Sequence, residues 1–177
     1  MKRLLLLLPL LTAATANAAP VYLNCNDATR VKTRTVEATD EPNEVTTTSE
    51  LQERKVFLDI TANKATISRD TDFLVEADPQ KIILIKNNSD TTPSTYGPDS
   101  KSFGVTKMVI NRATLAYDYS YSNRYSSTTD LLQLLRGATS SMLARMGKSR
   151  YSFMNITTEE KATGSCKKVE APASNQI

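Results

Sequence analysis

Three tyrosines on alternate positions of one predicted strand are the most distinctive functional groups in this sequence. Tyr117, Tyr119 and Tyr121 lie in the stretch LAYDYSYSNRY, and Leu115 and Tyr125 fall on the same side of the alternation. Side chains two positions apart project from one face of a strand. Such a row of phenols could bind a ligand by stacking on a sugar or a base, or it could pack the inner face of a sheet.

The opposite face of this strand favours the packing interpretation. It consists of small and polar side chains: Ala116, Asp118, Ser120, Ser122 and Arg124. If one face is solvated it is this one, so the tyrosines face the interior, where each hydroxyl needs a partner. A barrel interior rich in tyrosine can also border a polar-edged pocket. Tyr117, Tyr119 and Tyr121 are therefore our candidate ligand-binding residues.

Several residue types that common catalytic sites require are missing. The chain contains no histidine and no tryptophan, and it contains five glycines. Without histidine, Ser-His-Asp catalysis, Cys-His catalysis and imidazole metal ligation are excluded. The glycines form no phosphate-binding loop. We predict no catalytic residue, no metal ligand and no cofactor, and we expect a protein that is not an enzyme.

Paired carboxylates are the catalytic arrangement that these absences leave open. Asp70 and Asp72 project to one side if the chain is extended there, and Glu76 and Asp78 are close in sequence. A glycosidase needs two carboxyl groups at a defined separation, although a chain of this length contains such pairs by chance. Solvation of turns and strand ends is the simpler interpretation.

The first 18 residues have the pattern of a signal peptide. Lys2 and Arg3 precede an apolar run, and Ala16-Asn17-Ala18 gives the small-x-small motif of a cleavage site. We predict cleavage after Ala18 and a location in the periplasm or outside the cell. No later segment is long and apolar enough to predict a transmembrane helix.

Loss of this segment would leave a nearly neutral protein. The full chain has 22 basic and 19 acidic residues, so the chain without Lys2 and Arg3 has a net charge of +1. Because nucleic-acid binding depends on many phosphate contacts, we expect no nucleic-acid partner.

The charges are nevertheless uneven along the chain. Six acidic residues occur with no intervening cation: Glu37, Asp40, Glu41, Glu44, Glu50 and Glu53. Seven cations follow later in the chain, with only Glu159 and Glu160 among them: Arg136, Arg145, Lys148, Arg150, Lys161, Lys167 and Lys168. Solvated loops account for this distribution, and an anionic envelope component is the alternative partner.

The two cysteines predict a structural disulfide. Cys25 lies near the start and Cys166 near the end of the chain, and neither belongs to a C-x-x-C motif. An even number of cysteines in an exported protein favours pairing, since the compartment is oxidising. Two free thiols are the alternative.

The remaining pattern indicates one β-rich domain over 19–170 and a flexible tail over 171–177. The stretch TRVKTRTV alternates branched and basic residues, as expected of a strand with one wet face. Asn63, in a short polar link, predicts the turn of a hairpin. The acidic EATDEPNEVTTTSE and residues 87–102 are predicted to be loops. We predict a mainly β fold, an antiparallel meander of about seven or eight strands that forms a barrel or a strongly curved sheet.

One segment departs from the β pattern and predicts a short helix near 130–146. Its apolar residues recur at helical spacing, Asp130 followed by Gln133 resembles a capping box, and Gly147 marks a stop. The helix is expected to pack across one end of the sheet, and binding to a membrane surface or a partner is the alternative.

Four stretches together resemble small exported Gram-negative bacterial proteins of unassigned function: VYLNC, FLDITANKATISR, MVINRATLAYDY and the late GSC. This resemblance implies the fold and the compartment. A weaker similarity connects the chain to periplasmic lysozyme inhibitors, which are small β-barrels that begin with a Tyr-x-x-Cys-like strand and end with a bridge to a late Cys. The chain lacks their Trp-containing segments, and no functional residue is carried over from either group.

Three functional hypotheses are compatible with the sequence. The first is an exported, non-catalytic β-protein that binds a small or anionic ligand of the cell envelope. The second is a proteinaceous inhibitor of a hydrolase, acting through an exposed loop such as 87–102. The third is a hydrolase that uses Asp70 or Asp72. An unfilled interior bordered by the tyrosines would favour the first hypothesis.

Overall fold

The computed structural model describes residues 20–39, 42–92 and 100–171. These residues form a closed antiparallel barrel of eight strands, with one additional strand and two short helices. The predicted antiparallel β-meander is therefore confirmed, and of its two expected forms the chain adopts the barrel. The predicted signal peptide and, apart from residue 171, the predicted tail lie outside the described residues.

The strands follow one another around the barrel in chain order, except that β2 is placed outside it. They are β1 (Val21–Ala38), β2 (Glu44–Thr48), β3 (Glu53–Asp59), β4 (Lys64–Ile67), β5 (Asp70–Ala77), β6 (Lys81–Thr92), β7 (Ser100–Asn111), β8 (Ala116–Asp130) and β9 (Tyr151–Val169). The sheet order is β2-β1-β3-β4-β5-β6-β7-β8-β9, and β9 pairs again with β1. The predicted hairpin is present as β3 and β4, and Asn63 in its turn has a φ of 56°.

Pairing of the first and last strands closes the barrel. β1 and β9 run antiparallel from the pair Tyr22 and Val169 to the pair Ala38 and Met154. Cys25 lies opposite Cys166 in this ladder, and the two form a disulfide with a Cα–Cα distance of 3.9 Å. The predicted bridge is confirmed, and it joins strands that the hydrogen-bonded ladder already holds together.

The polar parts of the chain contain more strand than the sequence predicts. The prediction of a loop over 87–102 is wrong for its described part, because β6 and β7 stay paired from Asn87 and Val105 to Thr92 and Ser100. Likewise β2, within the acidic segment predicted to be a loop, pairs with residues 32–36 of β1. Side chains 87–92 and 44–48 are all exposed, so these strands carry no apolar alternation that would identify them. The region that ends around Cys166 is one long continuous strand, β9.

The segment predicted as one helix forms two short ones. α1 spans Leu131–Leu134 and α2 spans Ser140–Arg145. Asp130 caps α1 as predicted, since its carboxylate accepts a hydrogen bond from the Leu132 amide at 3.0 Å. Gly137, with a φ of 87°, separates the two helices, because a left-handed residue interrupts the helical backbone.

The apolar core fills the end of the barrel where all eight strands pair. Its buried residues come from every barrel strand: Leu23, Cys25, Val56, Leu58, Ala65, Ile67, Phe73, Val75, Ile82, Leu84, Met108, Ile110, Tyr117, Ala162 and Cys166. Beyond this core, β6, β7, β8, β9 and β1 extend past the shorter strands β3, β4 and β5. Buried polar groups lie at the boundary between the two halves.

Candidate functional site

The tyrosine row lies on the inner face of β8, as the alternation predicts. Tyr117 is buried in the core, and Tyr119 and Tyr121 are half-buried further along the strand. The side chains that alternate with them, Ala116, Asp118, Ser120, Ser122 and Arg124, are exposed. Tyr119 packs against the edge of the core. The row therefore runs from the filled end of the barrel towards its open half.

A β-bulge in β1 places two charged residues inside the barrel. The β1–β9 register shifts between Asp27 and Thr29, which leaves Ala28 as the extra residue. Because the bulge adds one residue, Asp27 and Arg30 both point inwards although they are three positions apart. Both are buried, whereas Val31 is half exposed. The basic residues of TRVKTRTV are thus not all on its wet face.

Arg54 connects these two residues into a buried ionic cluster. Its guanidinium donates a hydrogen bond from Nη1 to Asp27 and from Nη2 to Glu160 Oε1 at 2.6 Å. Arg30 Nε donates to the same Oε1 atom at 2.8 Å, and Arg30 Nη1 donates to the Glu50 carbonyl at 2.7 Å. Two guanidinium groups therefore face two carboxylates, so the cluster carries little net charge.

Tyr117 belongs to the same cluster through its hydroxyl group, which donates a hydrogen bond to Asp27 Oδ1. Burial alone would raise the pKa of Asp27, but hydrogen bonds from Arg54, Tyr117 and the Gln52 amide outweigh it and hold this pKa below the ordinary value. Burial, together with the carboxylate of Asp27, raises the pKa of Tyr117. Asp27 is thus ionised, and Tyr117 is a neutral hydrogen-bond donor.

A cavity of about 160 Å³ lies beside this cluster. It is lined by Gln52, Glu53, Arg54, Ile67, Ser68, Asp70, Phe73, Thr106, Tyr119 and Glu160. The apolar base comes from the edge of the core, and the remaining walls are polar or charged. This combination of an apolar base with a few polar groups is typical of a small-ligand site.

Tyr119 is the aromatic side chain of the row that reaches this cavity. The Arg54 guanidinium lies 4.2 Å from the centre of its ring, a cation–π contact. Burial raises the pKa of Tyr119 to about 12. The hydroxyl makes no hydrogen bond to the described residues, and the only buried side-chain oxygen or nitrogen without a partner among them is Asn24 Oδ1. Tyr119 thus brings to the cavity lining a side chain whose hydroxyl is not bound by a described residue.

The three candidate tyrosines thus have different environments. Tyr117 is part of the core and of the ionic cluster, Tyr119 lines the cavity, and Tyr121 lies beyond it on the same face. Their role in ligand binding stays a prediction.

The candidate carboxylates do not form the expected pair. Asp72 has a φ of 66°, so the chain is not extended there, and the arrangement assumed for Asp70 and Asp72 is absent. Asp70 lines the cavity and forms an ion pair with Lys86. No group of three or more acidic, histidine or cysteine residues that could hold a metal ion occurs in the described ranges.

Sequence reasoning missed the ionic cluster because charged residues are expected on the surface. Asp27, Arg30, Arg54 and Glu160 come from three strands that are far apart in the chain. For Arg54, alternation with the buried Val56 and Leu58 was a usable signal, since it places the three side chains on one face. For Arg30 no such signal exists, because the bulge shifts the alternation.

Among the described residues, no helix has the length and apolar content needed to cross a membrane. Comparison of the chain with models of known protein families, with curated proteins and with solved structures finds no match.

Proposed function

We propose that this chain is an exported, non-catalytic binding protein whose barrel holds one small polar ligand in the cavity beside Tyr119. The observation that supports this proposal is Tyr119, which lines a cavity of about 160 Å³ and whose hydroxyl makes no hydrogen bond to a described residue. A polar group that the protein leaves without a partner in a concave site is available to a ligand.

The size of the cavity limits the ligand. At about 160 Å³ it has room for several water molecules. A ligand, or the part of it that enters, the size of a small polyol or amine suits this space.

The charges on the cavity wall select against an anion. Glu53, Asp70 and Glu160 contribute three carboxylates, and Arg54 contributes the one cation of the lining. Arg54 is occupied by Asp27 and Glu160, and Asp70 is paired with Lys86, so Glu53 is the lining carboxylate that forms no ion pair with a described residue. Of the two ligand classes expected from the sequence, this wall supports the small ligand, either uncharged or cationic, and not the anionic one.

The other two hypotheses receive less support. An inhibitory loop over 87–102 would have to consist of 93–99, which lie outside the described residues, because the flanking positions are paired strands. The hydrolase hypothesis places Asp70 and Asp72 on one side of an extended chain, and the left-handed backbone at Asp72 does not give that arrangement.

Thermal-shift measurements with a panel of small polyols, amines and inorganic anions test the proposal. We expect an uncharged or cationic compound to raise the melting temperature of the parent protein. Tyr119→Phe removes the free hydroxyl and should abolish the shift. Tyr125→Phe is the matched control, because the Tyr125 hydroxyl is bound to Ser100 Oγ and does not line the cavity. The absence of any shift, or a shift that is unchanged in Tyr119→Phe, would contradict the proposal.

Export is tested separately. The intact mass of protein from a periplasmic extract should correspond to a chain that begins at Ala19, as expected for cleavage after Ala18. Full-length protein in the cytoplasm would disprove export while leaving the cavity experiment unaffected.

A further inference from the structure

The two helices between β8 and β9 border a second concave surface, an open apolar groove of about 490 Å³. It is lined by Leu134, Leu135, Arg136, Gly137, Ala138, Met142, Leu143 and Met146. Leu143 is buried, whereas the larger apolar side chains around it are exposed, with Met142 at 50% and Met146 at 64%. A group of exposed apolar side chains of this kind on the surface of a soluble protein commonly marks an interaction site for a protein or a membrane.

The space next to two glycines of the helical segment is open. A Cβ atom added at Gly137 or at Gly147 would have no heavy atom of another residue within 4 Å, apart from its chain neighbours. These glycines lie at the two ends of the α2 region. Both ends of α2 are therefore accessible to a large, flat partner.

The charge around the groove is of one sign. From Leu131 to Thr158 the chain contains four cations and no Asp or Glu. Arg136 and Arg145 form no ion pair with any of the described residues. Arg150 is held by the buried carboxylate of Asp130, with Nη2 2.8 Å from Oδ2, yet half of its side chain is exposed. The partner of this surface should therefore be anionic.

We propose that the α1–α2 groove docks on an anionic lipid surface, with Met142 and Met146 inserted among the lipids and with Arg136 and Arg145 against the headgroups. Apolar side chains flanked by cations are the features that hold proteins in a membrane interface. A lipid surface suits this groove better than a peptide helix. A bound peptide helix needs a groove long enough for anchoring residues spread over about two turns. The helices that border this groove, α1 and α2, have only four and six residues.

Vesicle sedimentation with the disulfide-bonded chain beginning at Ala19 tests this docking. Vesicles of phosphatidylcholine with added phosphatidylglycerol should bind the protein, and vesicles of phosphatidylcholine alone should bind it at least about tenfold more weakly. Binding to the anionic vesicles should fall as salt is added, because salt screens the headgroup attraction.

Two double variants separate the apolar contribution from the ionic one. Met142→Gln with Met146→Gln, and Arg136→Gln with Arg145→Gln, should each reduce the partition coefficient by about tenfold or more. The matched controls are Leu74→Gln and Lys107→Gln, which change an exposed apolar and an exposed basic side chain on β5 and β7. They should bind like the parent. Circular dichroism checks that all four proteins are folded.

The possible outcomes distinguish this proposal from its alternatives. Binding that depends on both double variants supports lipid docking. Undiminished vesicle binding in either double variant, or equal losses in the controls, would overturn it. Absence of vesicle binding together with capture of an acidic amphipathic peptide would also overturn it and would assign the groove to a protein partner.

Discussion

The ring of Tyr117 lies against the backbone of Gly164, its direct partner across the β8–β9 ladder. A Cβ atom at position 164 would be 2.8 Å from Tyr117 Cε1 and 2.1 Å from the Asn26 carbonyl oxygen. Only glycine therefore fits between β1 and the tyrosine ring. This close approach directs the Tyr117 hydroxyl to Asp27, so that a glycine on the last strand positions a side chain of the ionic cluster.

Replacing this glycine should destabilise the protein. Gly164→Ala forces the Asn26 backbone or the Tyr117 ring to move, and overpacking of this kind costs about 1–3 kcal/mol, sometimes more. Gly104→Ala is the control, since the nearest atom to its Cβ would be the Asn123 Oδ1 atom at 3.1 Å, on a side chain that can shift. Urea unfolding of both variants measures the difference. Equal free energies of unfolding for the two variants would show that the space between Tyr117 and Gly164 can accommodate a methyl group.

Tyr119 should contribute to stability mainly through its ring and not through its hydroxyl. Tyr119→Ala removes the packing against the core edge and the contact with Arg54. For a half-buried ring we expect a loss of about 3 kcal/mol, the lower end of the range for aromatic truncations. Tyr119→Phe and the exposed-face variant Ser120→Ala should each change the stability by less than about 0.5 kcal/mol. A Tyr119→Ala protein as stable as its parent would show that the ring does not support the core.

The sequence predicted those parts of the fold that combine a buried face with an exposed face. The tyrosine row, the hairpin with Asn63 at its turn, and the bridge from Cys25 to Cys166 were all accessible in this way, because alternation and residue pairing report burial directly. The strand ends beyond the core were not accessible. In β2 and in the distal part of β6 both faces are exposed, and polar strands of this kind resemble loops in composition.

The candidate site was only partly predictable for a related reason. Tyr119 could be placed on the inner face, but its cavity depends on Arg54 and Glu160, which belong to different strands. A charged side chain can be buried only where it has partners of opposite charge. Partners that are distant in the chain cannot be identified from the sequence until the order of the strands is known. The bulge at Ala28 turns Arg30 inwards, and no pattern in the local sequence predicts it.

Arg54 should be the most sensitive member of the ionic cluster. Arg54→Met preserves much of the side-chain volume but removes the hydrogen bonds to Asp27 and Glu160. Leaving a buried charge without its partner costs about 3–5 kcal/mol. Lys55→Met is the control on the same strand, because Lys55 is exposed and its replacement should cost less than about 0.5 kcal/mol. Similar denaturation midpoints for the two variants would contradict the importance of the cluster.

The ionic cluster should also make the free energy of unfolding decrease at acid pH. Because the pKa of Asp27 is below its ordinary value in the folded state, unfolding takes up a proton at low pH. The stabilisation by Asp27 is complete above the unfolded pKa of about 4 and is lost as the pH falls through the lower, folded pKa. Asp27→Asn should therefore be less stable than the parent at neutral pH, and the difference in the free energy of unfolding should begin to shrink near about pH 4 and vanish below the folded pKa. A difference that stays constant from neutral to acid pH would argue against this assignment.

The disulfide should stabilise the protein mainly by restricting the unfolded chain. Cys25 and Cys166 are separated by 141 positions in the sequence, and closing so long a loop is expected to stabilise a protein by up to about 5 kcal/mol in the chain-entropy model. In the folded state the ladder between β1 and β9 holds the two strands together without the bridge. We therefore expect the double variant Cys25→Ala with Cys166→Ala to keep the barrel, with an unchanged far-ultraviolet circular dichroism spectrum, and to unfold at a lower urea concentration than the parent. The parent unfolded in the presence of a reductant should behave like the double variant, which separates the loss of the cross-link from the loss of the sulfur atoms. A double variant that unfolds at the same urea concentration as the oxidised parent would show that the unfolded chain gains little freedom when the bridge is removed.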